Sequence, residues 1–499
     1  MTLNHDTLSS MQSYENLDVR VPDFDRESMI NTTAEEPIWV HFGAGNLFKS
    51  FISVLQQELL EQGLAEKGII AAFAIEPETI DNVWKPNDNL SLRVTMNSDG
   101  SSERLVVASV SECVYADRSS DDWSRLVEIF RSESLQMVSF TITEKGYDPC
   151  GKAMGIIREL LIERRKSGAT PIALVSMDNC VNNSDVLRAG IGDAVDYEGL
   201  SFPLTMIDKI TPRPNEDIRA KLEAEGFSGL DIYVTEIGTY ASLFANTEKR
   251  QYLVVEDNFP NGRPPLEHAG VIFTNRKTAY LSERMKVGAL LNPLHFSVAV
   301  FGMLLGYDNM ADASRDADIN RMITCMGYEE QLPIVVDPII INPQDFLDEC
   351  ISIRFTNTFL PDSPARILTD ASKKIPARFR DTIETYYIEH PQCLDDLRMI
   401  PLLIAGWLRY LMAIDDNGNP FELSPDPLLN EHKDEMSGIA LGQPNYAREC
   451  CRKLIQILDL GIDLYETPLG AATEEWLVKL TESHGAIRKT LRLIKAKPC

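Results

Sequence analysis

Cysteine is sparse. Nine cysteines are scattered through 499 residues with no CxxC pair, which argues against a disulfide framework and points to a reducing, cytoplasmic home. No Cys/His group has the spacing of a zinc site, so no metal is expected. Positive charge is also short: 48 Lys and Arg against 75 Asp and Glu leave a formal net charge of −27. Such a surface repels a phosphate backbone and argues against nucleic-acid binding. The first thirty residues hold no apolar core run, so neither a signal nor a transit peptide is expected there, and this segment is expected to wrap the surface. Uninterrupted apolar runs are missing as well. The longest, Leu290 to Tyr307, is broken by Asn292, Pro293 and His295, and reads as a buried core helix rather than a membrane span. There is no internal repeat, low-complexity tract or Gly/Ser linker.

What is present is an ordinary globular composition, 44% hydrophobic and 25% charged, on a chain long enough for about three domains or two large ones. From Ile38 onward, short apolar runs alternate with amphipathic stretches, which predicts strands separated by helices and a mostly parallel sheet. Ile38–Phe42 reads as a strand, Leu47–Gln62 as a helix and Ile69–Ile75 as a second strand. Gln136–Ile142, Pro171–Ser176 and Leu204–Ile207 continue the strand series, with a helix over Gly151–Lys166. Leu90–Thr95 and Arg104–Val114 read as an inserted hairpin turning at Asn97–Gly100. From about Ser282 the pattern becomes helical, as in Leu402–Met412 and Tyr446–Asp459, and the tail beyond Glu431 reads as helical packing. The expected units are therefore residues 1–280 and 281–499.

The first strand runs into Gly43-Ala44-Gly45-Asn46-Leu47-Phe48, a GxG turn opening a helix, where positions without side chains let backbone amides approach a pyrophosphate. Phe48 occupies the third small position of that fingerprint, and a merely tight turn is the alternative. With the alternating strands and helices, the pattern predicts an α/β, Rossmann-like N-terminal domain followed by a mainly α-helical C-terminal domain. Glu76 ends the second strand, where a carboxylate accepts hydrogen bonds from an adenosine ribose and disfavours a 2′-phosphate. On spacing alone, a solvated glutamate at a strand end is an equal reading. Two polar clusters, Thr141–Tyr147 and Ser176–Asn183, follow later strands at the edge where open α/β sheets bind ligands.

A third region, Arg284 to His295, sets Lys286, Asn292 and His295 in a very apolar segment. Burying such groups without hydrogen-bond partners is costly, so they are either satisfied internally or functional. On one unbroken helix Lys286 and His295 point to opposite faces, so bringing them together requires a break. Pro293 offers one, with Asn292 as the cap of a new helix. A lysine ammonium among apolar side chains has its pKa lowered, as a general base near neutral pH requires. Capping for Asn292 and a core role for His295 are the alternatives.

The set Gly43-Ala44-Gly45-Asn46, Thr141–Tyr147, Ser176–Asn183, Met206–Pro212, Val254–Phe259 and Lys286 with Leu290–His295 resembles the polyol-specific long-chain dehydrogenases/reductases, the mannitol dehydrogenase family. The similarity continues through Arg354–Asn357, Ser372–Pro376 and Ala405–Tyr410, covering roughly residues 38 to 430. The resemblance implies a metal-independent, NAD-linked enzyme, with NADP as the alternative cofactor, that interconverts a secondary alcohol and a ketone. Lys286 matches the catalytic base. Asn179 and Asn292 match the amides that hydrogen-bond the reacting oxygen. His295 matches a substrate-orienting residue, while Asp208, Arg354 and Lys374 match substrate contacts; either cation suits a carboxylate. Gly43, Gly45, Asn46, Glu76 and Glu144 match the cofactor side.

Lys286 and Asn292 lie six positions apart, one more than the family's five, and Gly288 is the expected place for a bulge. Pro293-Leu294 replaces the usual small, polar pair and marks a distinct branch. The two cations favour a carboxylated substrate, with fructuronate and mannonate as the expected pair. The alternatives are a neutral polyol such as mannitol, or a non-catalytic nucleotide-binding protein of the same fold. The expected partner is a small sugar acid or polyol, not nucleic acid or membrane, bound by a monomer or small homo-oligomer.

Overall fold

The computed structural model describes residues 2–9, 18–169, 171–193, 198–360, 362–442 and 444–495. The chain forms two compact units, Met1–Tyr280 and Leu281–Cys499.

The strands of the first unit are β1 (Trp39–Phe42), β2 (Ile69–Phe73), β3 (Ser91–Met96), β4 (Ser102–Val107), β5 (Val110–Tyr115), β6 (Met137–Phe140) and β7 (Ile172–Ser176). They continue with β8 (Leu200–Ser201), β9 (Thr205–Asp208), β10 (Tyr233–Val234), β11 (Tyr240–Ala241), β12 (Phe244–Glu248), β13 (Tyr252–Glu256) and β14 (Ile272–Thr274). The main sheet is parallel with order β5-β2-β1-β6-β7-β8. Counted along the chain, its strands lie 3-2-1-4-5-6, the doubly wound order whose reversal point lies between the first and fourth strands. Strands β1, β2, β6 and β7 are buried along their full length, as their near-continuous apolar runs require in a sheet covered on both faces.

Two strand expectations are corrected. Leu204–Ile207 does not continue the parallel sheet; β9 pairs antiparallel with β13 in a separate sheet of order β14-β13-β9. The two-residue β8 takes the edge of the main sheet, and Pro203 has no amide proton to extend its ladder. Arg104–Val114 is two strands. β4 closes the hairpin on β3, and β5 joins the main sheet beside β2. Between them the Ala108 amide donates to Gln57 Oε1 (2.7 Å) and the Ser109 hydroxyl to the Ser53 carbonyl (2.6 Å). The helix of residues 53–61 thus satisfies backbone that a continuous ladder would otherwise hold. The N-terminal segment does more than wrap the surface: Leu3 is fully buried against β3, β4 and β12 side chains, with Val19 and Val21 packed beside it.

The elements of the second unit are helices joined by turns and loops, with an isolated antiparallel bridge between Ile414 and Pro420 among its described residues. The run Arg276–Leu304 is long and apolar enough to cross a membrane, but 83% of its apolar 18-residue window is buried within the protein. The helix Met399–Tyr410 is buried at every residue. A Cβ on Gly406 would come within 2.7 Å of the Phe301 ring, so glycine allows these helices their close approach. The tail packs as expected. Leu469, Leu477 and Leu480 are buried, and the Arg409 guanidinium donates to the carbonyls of Leu480, Ile414 and Asp415.

Candidate functional site

In the first unit, the candidate residues other than Asp208 follow strands of the parallel sheet at its carboxyl edge. Gly43 has φ +91°, and a Cβ there would sit 2.3 Å from the Thr141 carbonyl oxygen, so only glycine makes this turn. At Gly45 the added Cβ would meet nothing within 4 Å. That open space over a helix start, whose first amides lack intrahelical acceptors, fits the pyrophosphate of a dinucleotide. Asn46 Nδ2 lies 3.4 Å from the Pro212 carbonyl. Phe48, in place of the third small residue, is fully buried and stacked on the His41 ring at 4.5 Å. The helix accommodates that ring with a π-helical turn over Phe48–Ile52.

His41, which the sequence reading passed over, anchors the turn. Burial holds its pKa down at about 3, so the ring is neutral. Its Nε2 lies 2.8 Å from Thr141 Oγ1, which itself donates to the Gly43 carbonyl (2.6 Å). The hydroxyl proton being used there, Nε2 carries the imidazole proton and Nδ1 accepts from Ser139 Oγ (2.7 Å). Trp39 Nε1 donates to the same Ser139 oxygen (2.7 Å). This relay runs through the sheet to the glycine turn. Its signal in the sequence is a histidine in an apolar strand, in register with Ser139 on β6.

Asp178 joins the two polar clusters. Its carboxylate accepts from the amides of Ile142 (2.9 Å) and Thr143 (3.1 Å) and from the Tyr147 hydroxyl (2.7 Å). Burial nevertheless pushes its pKa up to about 6 against those bonds. Thr143 sits at φ +63°, a conformation that costs a β-branched residue about 1–3 kcal/mol and that the Asp178 contacts hold in place. Asn179, exposed, follows directly, and Glu144 is exposed in the short helix Thr143–Gly146. Glu76 lies just past the end of β2, and its carboxylate accepts from Thr235 Oγ1 (2.7 Å). Asp208 is buried at the end of β9, outside the parallel sheet. Asn183 Nδ2 bonds both the Asp178 and Thr205 carbonyls and so ties β9 to the end of β7.

In the second unit, Lys286, Asn292 and His295 share one helical run whose middle is a π turn, Lys286–Leu290. Asn292 is not a cap outside a new helix: it is the first residue of Asn292–Leu304, with Pro293 in the first turn, where a missing amide proton costs nothing. The π turn supplies the break instead. A single extra residue in such a turn shifts everything after it by ~100° relative to a regular helix. Lys286 and His295, ~180° apart on a regular helix, come to ~80°, and Asn292 stands at ~140° from Lys286. The three therefore occupy one side of the run. The Thr382 hydroxyl shares its proton between the Gly288 carbonyl (3.1 Å) and Gln331 Oε1 (2.8 Å), satisfying a carbonyl within the irregular turn.

Lys286 and Asn292 are buried at 3% and 8% exposure. His295 stacks on Phe355 (5.3 Å between centroids), and burial holds its pKa down at about 4. Asp362 opposes that shift, whereas Arg366, Arg378 and Arg354 reinforce it. Arg354 is thus close enough to His295 to act on its charge. Arg366 and Asp362, absent from the sequence reading, form a bidentate pair with both contacts at 2.6 Å. Their signal is an i,i+4 acid–base pair just before the Ser372–Pro376 motif. Lys374 Nζ donates to the Ile367 carbonyl (3.0 Å). Among the described residues, no group of three or more His, Cys, Asp or Glu side chains is placed to hold a metal ion.

Residues 37–268 match the family model of the mannitol dehydrogenase Rossmann domain, and residues 279–446 that of the mannitol dehydrogenase C-terminal domain. The chain belongs to the mannitol dehydrogenase family. It is 43% identical to a D-mannonate oxidoreductase of Thermotoga maritima, across 98% of each chain. It is 27% identical to a mannitol 2-dehydrogenase of Pyrenophora tritici-repentis, over 86% of this chain and 77% of that one. In fold it resembles Pseudomonas fluorescens mannitol 2-dehydrogenase, solved with NAD and D-mannitol, with a TM-score of 0.79 and 22% identity over all of both chains.

Proposed function

We propose that this chain is an NAD(H)-linked oxidoreductase that interconverts the secondary alcohol and ketone of an open-chain sugar acid, with mannonate and fructuronate as the pair. The observation that carries the reading is the 43% identity to a D-mannonate oxidoreductase across nearly the whole of both chains. Arg354, close enough to His295 to act on its charge, supports it, because a guanidinium suits a carboxylated substrate.

Bound NAD(H) supplies or takes up the hydride. The chain's own groups manage the proton and the substrate. In the oxidative direction, Lys286 Nζ takes the proton of the reacting hydroxyl; in the reductive direction it returns that proton to the forming alkoxide. Asn292, on the same side of the helical run, donates an amide hydrogen bond to the oxygen as its charge develops. Asn179 carries the second amide role in the first unit. His295, neutral at physiological pH because of its burial, orients a substrate hydroxyl by hydrogen bonding without adding a charge. Arg354 and Lys374 bind the substrate, with Arg354 as the carboxylate ligand, and Asp208 is a further polar contact. On the cofactor side, Gly43, Gly45 and Asn46 form the pyrophosphate turn, with Glu76 at the adenosine ribose and Glu144 beside it.

No step in this scheme calls on a metal, so activity is expected to survive exhaustive chelation. A cytoplasmic monomer or small homo-oligomer completes the reading. The test follows loss of nicotinamide absorbance from NADH and NADPH with fructuronate, tagaturonate and fructose offered in parallel. Fastest turnover of NADH with fructuronate supports the reading. Preference for fructose makes the protein a polyol dehydrogenase, and turnover with none of the three leaves a nucleotide-binding protein without this activity.

A further inference from the structure

The carboxylate of Glu76 is held by a segment 159 residues further along the chain. The hairpin of β10 and β11 turns through Thr235, Glu236, Ile237, Gly238 and Thr239, with Gly238 at φ +84°. Its end is closed by the Thr235 amide on the Thr239 carbonyl (2.8 Å) and the Thr239 amide on Thr235 Oγ1 (2.9 Å). That second bond occupies a lone pair of the Thr235 hydroxyl and directs its proton outward. The proton goes to Glu76 Oε1, at 2.7 Å. Thr235 itself is buried, at 4% exposure.

The backbone of Glu76 is fixed as well. The residue stands at φ +59°, and its carbonyl accepts from both the amide (3.1 Å) and the hydroxyl (2.8 Å) of Thr79. A second bond ties the hairpin to the same loop, from the Glu236 amide to Glu78 Oε1 (3.2 Å). A glutamate in solution spends rotamer freedom to meet a ligand. Here that cost is met on folding. One carboxylate oxygen is anchored and the other is presented in a fixed direction, at the carboxyl end of the second strand of a doubly wound sheet. Glu78 and Glu236 add negative charge beside it. Arg213, from the segment that follows β9, stacks on the Tyr240 ring of this hairpin at 5.0 Å.

We propose that Thr235 is a positioning residue for cofactor choice: its hydroxyl sets Glu76 to accept from the ribose diol of NAD(H) and to repel the 2′-phosphate of NADP(H). The inference rests on the dinucleotide reading above and deepens it. It predicts that selectivity depends on a hairpin remote in sequence from the glycine turn.

The test compares wild type with Thr235→Val, which keeps the shape and removes the donor, Thr235→Ser, which restores it, Glu76→Ala, and the double variant Thr235→Val/Glu76→Ala. Dissociation constants for NADH and NADPH are read by titration of nicotinamide fluorescence without sugar substrate, alongside the melting temperature of each apoprotein. Thr235→Val is expected to weaken NADH about tenfold, as loss of one hydrogen bond to a charged group implies, and to leave NADPH unchanged or tighter. In turnover, KM for NADH rises by more than kcat falls. Thr235→Ser returns NADH affinity to within about twofold, and in the Glu76→Ala background Thr235→Val adds no further loss. Equal weakening of both cofactors with a lowered melting temperature, or wild-type NADH affinity in Thr235→Val, overturns the proposal. If wild type binds neither dinucleotide, the cofactor reading itself fails, and this inference with it.

Discussion

The Leu291 amide closes on the Lys286 carbonyl at 3.1 Å, five residues back rather than four. That one bond explains how a lysine and an asparagine six positions apart stand as they would at five. The one-residue excess is absorbed in the turn, and the faces before and after it keep the register of the shorter spacing.

A counterintuitive prediction follows for the length of this segment. Deleting Gly288 converts the π turn to a regular α turn while leaving Lys286, Asn292 and His295 in the same relative orientation, so kcat is expected to stay within about tenfold of wild type. Inserting an alanine after Ala289 rotates Lys286 by ~100° against the other two, with an expected loss on the order of a hundredfold or more. Steady-state kinetics of the two variants decides the matter. Abolition of activity by the Gly288 deletion, with the fold intact by circular dichroism, contradicts the account.

Arg366 and Asp362 form the second check. Removing Arg366 takes away one of the three arginines that hold the His295 pKa down and frees Asp362 from its bidentate partner, which raises the histidine pKa from about 4. For Arg366→Ala, the acid limb of the pH–rate profile is expected to move to higher pH, and KM for fructuronate to rise more than KM for fructose. An unshifted limb with equal KM changes means that Arg366 serves packing only.

His41 predicts an acid-sensitive fold. Its folded-state pKa of about 3 lies below the ~6.5 of an unfolded histidine, so the unfolded chain binds more protons between those values. Its contribution to stability is complete above about pH 6.5 and is lost as pH falls toward 3. His41→Gln removes this contribution. Buried Asp178, with its pKa raised to about 6, works in the opposite direction, so the informative quantity is the difference between wild type and variant. Urea midpoints measured from pH 7.5 to 4.5 are expected to converge as pH falls; parallel curves contradict the assignment of a buried, neutral His41.

Much of this was legible in the sequence because the parallel sheet writes itself plainly. Trp39–Phe42, Ile69–Phe73 and Ile172–Ser176 are apolar runs buried on both faces, and Gly43 and Gly45 mark the turn that follows the first. The helical second unit is legible as well: the helices expected over Leu402–Met412 and Tyr446–Asp459 fall on Met399–Tyr410 and Pro444–Ile457. The π turns at Phe48–Ile52 and Lys286–Leu290 are not, because one added residue leaves composition and hydrophobicity unchanged. Nor does the sequence reveal the bond from Thr235 to Glu76, 159 positions apart, or the break at Ala108-Ser109, which depends on the Gln57 side chain and the Ser53 carbonyl of a helix some fifty residues earlier. Each omission is a contact set by tertiary packing and not by local pattern.

The most direct test of the central claim, that Lys286 is the proton acceptor of a sugar-acid oxidoreductase, compares wild type with Lys286→Ala. Both are assayed for NADH oxidation with fructuronate and for NADH binding by fluorescence. The account predicts rapid turnover by wild type and a loss on the order of a thousandfold or more in the variant, with NADH affinity retained, as removal of a general base requires. Turnover by Lys286→Ala within tenfold of wild type would contradict it.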